Sequence, residues 1–355
     1  MGHYLIVGSG LSGLAITETL LREGHQVTVF DDGSQKASMV AGGLYNPVVI
    51  KRFNLTWEGK RLMDLALPFY NALEKKLWGH FDEKIPILRL FASEEEQNKM
   101  FEATDQPGLS EYLSTSLLSN SNPDINAPHG YGEVLHTGRI HTAHLLKAYR
   151  EYLRGLGSLE REAFSFSALQ IAEDGVHYRG IEATGVIFSE GYGLRSNPYF
   201  NYLPLEGNKG ELLEIHAPNL KESRVVKAGV FIIPTGGDRY LAGATYDRNY
   251  EGPEPTTQAR ERLLKGLRKF IQCDFEVTGQ RAGIRPTVPD RRPQVGVHPE
   301  HSSLFVINGM GSRGVLIAPY AASCLAGFIL RGEPLPQGLD CSRFSQRFER
   351  SEKQA

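Results

Sequence analysis

Apolar and polar positions alternate along the chain in two distinct rhythms. Tyr4-Leu-Ile-Val7 is a continuous apolar run of the kind that forms a buried parallel strand. Gly-rich sequence follows, then Leu14, Leu20 and Leu21 at helical spacing, a stop at Gly24, and a second strand over Gln26 to Phe30. This is a βαβ opening. From Glu58 to Leu77 the residues Leu62, Leu65, Ala66, Phe69, Leu73 and Leu77 predict an amphipathic helix. Residues 117–138, rich in Ser, Asn, Pro, Gly and His, predict a long surface loop or a crossing between domains. A helix is expected from about Thr142 to Leu156, and strand-like sequence over 176–190 closes at Gly191, Gly193 and Pro198. From 208 to 246 short strands alternate with turns such as Pro234-Thr-Gly-Gly-Asp238, which predicts an antiparallel sheet. A helix capped at Thr256, carrying Leu263, Leu264, Leu267, Phe270 and Ile271, comes next. The last third returns to a strand at Leu304 to Asn308, glycines, and an Ala-rich helix to Leu330. The tail after Gln337 is polar and expected to be loosely held.

Composition narrows the class. Of 355 residues, 41% are hydrophobic and 23% charged, which excludes disorder, collagen and coiled coil. Lys plus Arg is 39 against 41 for Asp plus Glu, a net charge of −2, so nothing general favours nucleic acid or an acidic membrane. Cys273, Cys324 and Cys341 are far apart and odd in number, which argues against a disulfide framework or zinc knuckle and fits a reducing, cytoplasmic setting. Tyr4 to Thr17 lacks a preceding basic segment and makes a poor signal peptide. Val315 to Leu330 is sixteen uncharged residues interrupted by Pro319, too short and broken for a membrane span. No membrane partner is expected.

Gly8-Ser9-Gly10-Leu11-Ser12-Gly13 lies between the first strand and first helix. The glycines allow a tight turn, close approach to a pyrophosphate and close helix–strand packing, and the helix start offers free N–H groups to phosphate. Asp31, 18 residues after Gly13, ends the second strand where an acid can accept a ribose hydroxyl. Dinucleotide binding follows; the motif alone does not separate NAD from FAD.

Further motifs do. Ser38-Met-Val-Ala-Gly42-Gly43-Leu-Tyr-Asn-Pro47, Val186-Ile-Phe-Ser-Glu-Gly191, Gly283-Ile-Arg285-Pro286 through Gly296, and Gly309-Met-Gly311-Ser312-Arg313-Gly314-Val315 through Pro319 occur in order. Together they resemble the FAD-dependent D-amino-acid oxidase, glycine oxidase and sarcosine oxidase superfamily, over positions 4 to about 336. Gly311-Ser-Arg-Gly314 with its following Ala-Pro, and Gly243-Ala-Thr-Tyr-Asp247, carry a further likeness to the FAD domain of the bifunctional tRNA 5-methylaminomethyl-2-thiouridine biosynthesis enzyme. The resemblance implies an α/β (α+β) fold: a Rossmann-like FAD-binding domain with a parallel sheet, and an interleaved antiparallel-sheet substrate domain. The FAD domain is expected from 1–55, 139–205 and 285–337, the substrate domain from 56–138 and 206–284, and a tail from 338–355. It further implies non-covalent FAD held by Gly8, Gly10, Leu11, Ser12, Gly13, Asp31, Asp32, Gly42, Gly43, Phe166, Gly191, Gly311, Ser312, Arg313, Gly314 and Val315, with residues 42–43 and 311–315 against the isoalloxazine. No cysteine stands at the covalent-flavin position near Arg285.

For chemistry, the resemblance assigns Arg285 to the substrate carboxylate, a task suited to a guanidinium fork. The competing reading is a structural arginine paired with Asp290 or a backbone carbonyl. Arg313 resembles the arginine beside the flavin in the tRNA-modifying relatives. Tyr45, Asn46 and Tyr246 are within expected reach of the pocket. Phe231 stands where glycine oxidases carry a tyrosine, and Leu241 where sarcosine oxidases place a lysine linked to oxygen reactivity. His136, His141 and His144 cluster without a completing carboxylate or cysteine, and no metal is expected. Arg281, Arg285, Arg291 and Arg292 form a local basic group, read as a solvated face with neighbouring acids.

The implied activity is oxidation of a C–N bond in an amine or amino acid: hydride leaves for flavin N5, water hydrolyses the imine, and oxygen or another acceptor reoxidises FAD. The alternatives are a tRNA wobble-uridine modifying oxidoreductase, with tRNA the less favoured partner, and a non-catalytic flavin-binding subunit.

Overall fold

The computed structural model describes residues 1–352. His3–Val7, Leu11–Arg22 and Gln26–Phe30 form the βαβ opening expected from their patterning. These strands join a six-stranded sheet in the order 159–160, 26–30, 3–7, 185–188, 304–308, 294–297. All neighbours in it are parallel except the last pair. Such a sheet must be covered on both faces. One face is covered by the helices Leu11–Arg22, Gly59–Leu77, Thr142–Gly155 and Gly314–Arg331, and the other by Phe164, Tyr178, Leu194, Phe200 and Leu203.

An eight-stranded sheet packs beside it, in the order 276–287, 206–216, 239–243, 231–236, 225–227, 87–90, 131–134, 113–118. It is antiparallel except where 225–227 meets 87–90. Its outer face (Leu213, Ile215, Ile232, Ala242) is covered by Leu263 and Leu267 of the helix Thr257–Leu267. Thr256 caps that helix, accepting from the Ala259 amide at 3.2 Å. Period-two alternation then turns Asn208, Gly210, Leu212, Phe231, Gly283 and Arg285 toward the other side.

Four expectations change. The stretch 117–138 is not a continuous loop: Tyr131–Val134 is a strand, because Tyr131 and Val134, turned to opposite faces, are buried in two different cores. The helix Gly59–Leu77, placed with the substrate domain, packs Leu62, Ala66, Tyr70 and Leu73 into the core of the parallel sheet, because that is where its apolar stripe finds an unpaired helix face. The strand Glu276–Thr287 runs unbroken through the boundary at 284–285, so Arg285 belongs to the antiparallel sheet. The expected loose tail is packed as far as described: Leu339 and Cys341 are buried, and Phe348 of the helix Ser345–Glu352 meets the rings of Tyr202 and His298. Residues 353–355 lie outside the described residues.

The helix Gly314–Arg331 has the length and apolarity to cross a membrane. Here its apolar positions from Val315 to Ala322 are buried against the helices Leu11–Arg22 and Gly59–Leu77.

Candidate active site

A cavity runs between the two sheets, starting at the glycine fingerprint. Gly8 has φ +98, and a Cβ on it would stand 2.6 Å from the Ser189 carbonyl oxygen; at Gly13 a Cβ would stand 1.9 Å from the Gly8 carbonyl oxygen. Only glycine meets both demands. The Leu11 amide is held by the Ser38 hydroxyl at 3.2 Å, and the Leu14 amide closes on the Gly10 carbonyl at 2.8 Å. Ser9, Gly10, Leu11 and Ser12 line the cavity, so the helix start and its positive dipole meet whatever enters.

At the end of the second strand, one Asp31 carboxylate oxygen accepts from the Ser9 amide and hydroxyl, both at 2.6 Å, and the other from the Gly33 amide at 2.8 Å. Arg150, which carried no sequence signal, reaches Ser9 Oγ at 2.7 Å and Asp31 at 3.5 Å. Asp32, Phe166 and Gly191 also line the cavity. The backbone and hydroxyl of Ser34 hold the Asp32 carboxyl below its usual range. Glu190, within the Val186–Gly191 motif, also lines it; burial pushes its carboxyl up to about 7.

The middle of the cavity is lined by Gly42, Gly43, Gly311, Ser312, Gly314 and Val315. A Cβ on Gly43 would stand 1.9 Å from the Ile140 carbonyl oxygen, and Arg139 Nε donates to the Gly42 carbonyl at 3.0 Å. Small residues here leave room for a flat ring system. Together with the glycine cradle and helix start, the residues present fit FAD. None of the three cysteines lines the cavity.

The wall facing these glycines comes from the antiparallel sheet. Arg285 lines it, donating to the Thr245 carbonyl at 3.2 Å and Asn208 Oδ1 at 3.4 Å, with the Tyr246 ring 4.5 Å from its guanidinium carbon. Among the described residues no carboxylate pairs with it; Asp290 pairs with Arg343 at 2.9 Å instead. Burial lowers the Arg285 pKa, the nearby Tyr246 phenol opposing. Phe231, Leu212 and Met310 supply apolar lining, and Tyr246, 58% exposed, stands at the rim.

Two expected residues are turned elsewhere. Tyr45 does not line the cavity: its buried hydroxyl donates to Asp82 at 2.7 Å and accepts from Lys84 at 2.7 Å, the polar partners its burial requires. The Arg313 side chain is likewise outside the lining, donating to the carbonyls of Asn46 at 3.0 Å and Val48 at 3.3 Å, while its neighbours Ser312 and Gly314 line the cavity. It ties the loop after Gly43 to the start of the Gly314–Arg331 helix. Leu241 is buried in a core with Val48, Ile87 and Ile233 and does not line the cavity. His141 pairs with Glu83 at 3.0 Å, and among the described residues no set of three His, Cys, Asp or Glu forms a metal-ligand cluster. Arg281 pairs with Glu214 at 2.7 Å, and Arg292 lies over the Trp57 ring.

A family model described as DAO, FAD dependent oxidoreductase, matches residues 3–327. The chain is 22% identical to glycine oxidase of Bacillus subtilis, covering 97% of this chain and 98% of that protein. It is 22% identical to the tRNA 5-methylaminomethyl-2-thiouridine biosynthesis bifunctional protein of Marinobacter nauticus, covering 91% of this chain and 54% of that one, so it spans about half the length of such bifunctional relatives. Among solved structures, glycine oxidase of Geobacillus kaustophilus superposes with a TM-score of 0.76 at 22% identity, over 97% of this chain and 98% of that one. Iminodiacetate oxidase of Chelativorans sp. superposes with a TM-score of 0.75 at 20% identity, over 94% and 96%. Both likenesses show the fold.

Proposed function

This chain belongs to the DAO family of FAD-dependent oxidoreductases, and from that premise we propose that it oxidises the C–N bond of an amine or amino acid that carries a carboxylate. Arg285 is the supporting observation: a guanidinium in the cavity wall, without an acid partner among the described residues and bonded only through Nη1, so that an anion can dock along its Nε and Nη2 edge. A partly buried cation left unpaired is costly, and a substrate carboxylate relieves that cost with charge-assisted bonds. Leu212, Phe231, Met310 and Val315 keep the space beside it apolar and exclude water.

FAD, which the glycine-lined channel would hold without a covalent bond, would supply when bound the acceptor for the hydrogen and electron pair that leave the carbon beside the amine. The protein's part is orientation. Arg285 fixes the carboxylate, and the apolar wall favours the neutral amine, whose lone pair forms the C=N bond as the C–H bond breaks. The imine is then hydrolysed by water. Phe231 presents no hydroxyl to a second carboxylate oxygen, so a substrate larger than glycine, gripped elsewhere as well, fits this wall better.

The test is anaerobic addition of amino acids, N-methyl amines and N-carboxymethyl amines to the yellow protein. Bleaching by one class identifies the substrate type. Arg285→Ala should raise KM for that substrate about 10–100-fold, the loss of about 1.5–3 kcal/mol of charged hydrogen bonding, with the flavin spectrum unchanged. An unchanged KM refutes the clamp.

A second reading is oxidation of a carboxymethylamino group on a tRNA wobble uridine. The exposed Tyr246 ring at the cavity rim favours it, since an aromatic face can stack a base. Salt-dependent tRNA binding supports it, and none at low salt counts against it. Flavin that no amine and no RNA reduces would instead indicate a non-catalytic flavin-binding role.

A further inference from the structure

Glu190 is an acid in an unusual place. It follows Ser189, whose hydroxyl donates to the carbonyls of Val7 at 2.9 Å and Gly8 at 2.8 Å, so it stands beside the phosphate-receiving loop. Glu190 is one of the residues lining the cavity, and one of its carboxyl oxygens accepts from Asn197 Nδ2 at 2.7 Å. Among the described residues no cation pairs with it. The arginines that reach the lining of this part of the cavity are engaged there with other residues: Arg150 with Ser9 and Asp31, Arg195 with the Tyr192 hydroxyl at 3.1 Å, Arg179 with Glu162 at 2.5 Å. The other charges lining this part of the channel are acids, namely Asp31, Asp32 and Glu162. Burial, with the Asp32 charge adding to it, already makes ionisation of Glu190 difficult; the Asn197 amide only partly offsets this.

A pyrophosphate entering this space adds negative charge to a low-dielectric channel that holds an unpaired carboxyl group. The carboxylate form then faces a like charge, whereas the acid form becomes an O–H donor to the phosphate or ribose oxygens. We propose that Glu190 is a cofactor-binding residue that serves as a neutral carboxylic acid, so that binding of FAD takes up a proton from solvent at this side chain. This rests on the assignment of the channel to FAD. The balance is simple: one solvent proton adds to one carboxylate oxygen, with no redox change.

The experiment is calorimetric titration of FAD into apoprotein at pH 8 in buffers of different ionisation enthalpy, with Kd followed from pH 6 to pH 8. The expected result is uptake of close to one proton and a Kd about tenfold weaker at pH 8 than at pH 6, because each pH unit above the carboxyl's ionisation costs tenfold when only the acid form binds. Glu190→Gln keeps a neutral donor; it should bind FAD about as well as wild type at pH 6, with no proton uptake and a flat pH profile. Equal uptake in both proteins, or a pH-independent Kd in wild type, overturns the proposal. If the glutamine variant fails to fold, the wild-type profile decides alone. Absence of FAD binding at pH 6 in wild type would instead sink the cofactor assignment itself.

Discussion

The Arg285 guanidinium lies against the backbone of Gly210: a Cβ built on Gly210 would stand 2.0 Å from Arg285 Nη2 and 2.2 Å from its Cζ. The two strands pair so that Gly210 faces Gly283 and Asn208 faces Arg285, and the arginine folds back diagonally over the glycine. Tyr246 covers its other side. Glycine inside a strand ordinarily costs about 0.5–1 kcal/mol against alanine, so its presence here clears space for the side chain. Gly210→Ala should push the guanidinium out of position and raise KM for a carboxylate substrate about 10–100-fold, while the flavin spectrum is kept. Wild-type KM in that variant would show that the packing does not position the arginine.

Gly13 makes a harder demand. Its missing Cβ would meet the backbone oxygen of Gly8 at 1.9 Å and the Ser189 hydroxyl at 2.8 Å. A backbone oxygen cannot swing away as a side chain can, so Gly13→Ala must separate the first helix from the first strand. The expected outcome is protein that purifies colourless and takes up added FAD at least tenfold more weakly, a loss of about 1.4 kcal/mol or more. Yellow protein with a wild-type melting temperature would contradict it.

His298 is buried among the rings of Phe200, Tyr202 and Phe348, and its Nδ1 accepts from the Glu300 amide at 3.2 Å. Burial, with the neighbouring His301 charge, pushes its pKa down to about 4. The unfolded chain therefore binds more protons than the folded one between about pH 6.5 and pH 4. This contribution to stability is whole above pH 6.5 and is lost as pH falls through that window. Denaturation midpoints should fall with acidification across it, and fall less steeply in His298→Asn, whose amide oxygen can still accept from Glu300. Equal slopes in the two proteins would remove His298 from the account.

Arg343 fastens the C-terminal segment. It donates to Asp290 at 2.9 Å and to the carbonyls of Arg292, Pro293, Leu339 and Asp340. Five acceptors lose their donor in Arg343→Ala, which should destabilise the protein by about 2–4 kcal/mol in denaturant titrations. A change below about 0.5 kcal/mol, the usual scatter for surface substitutions, would mean water replaces those bonds without cost.

The sequence by itself determined what lies within one continuous stretch. Gly8, Gly10, Gly13 and Asp31 are legible because a single strand–helix–strand unit brings them together, and the same local logic reveals the Thr256 cap and the two-residue period of the antiparallel strands. Family likeness extended that to Gly42, Gly43, Arg285 and residues 311–315, all but the Arg313 side chain lining the cavity. Only the tertiary structure decided matters of partnership across long separations. Tyr45 turns to Asp82 and Lys84, Arg313 to the carbonyls of Asn46 and Val48, and Asp290 to Arg343 rather than Arg285. Arg150 finds Ser9 from 141 positions away. An ionisable group is the same in the sequence whether or not it finds a partner; it is open to a ligand only where packing gives it no oppositely charged neighbour, as with Arg285, which meets only the Thr245 carbonyl and the Asn208 amide oxygen, and Glu190, which meets only the Asn197 amide. That outcome depends on how two sheets and their covering helices come together, and no local pattern encodes it.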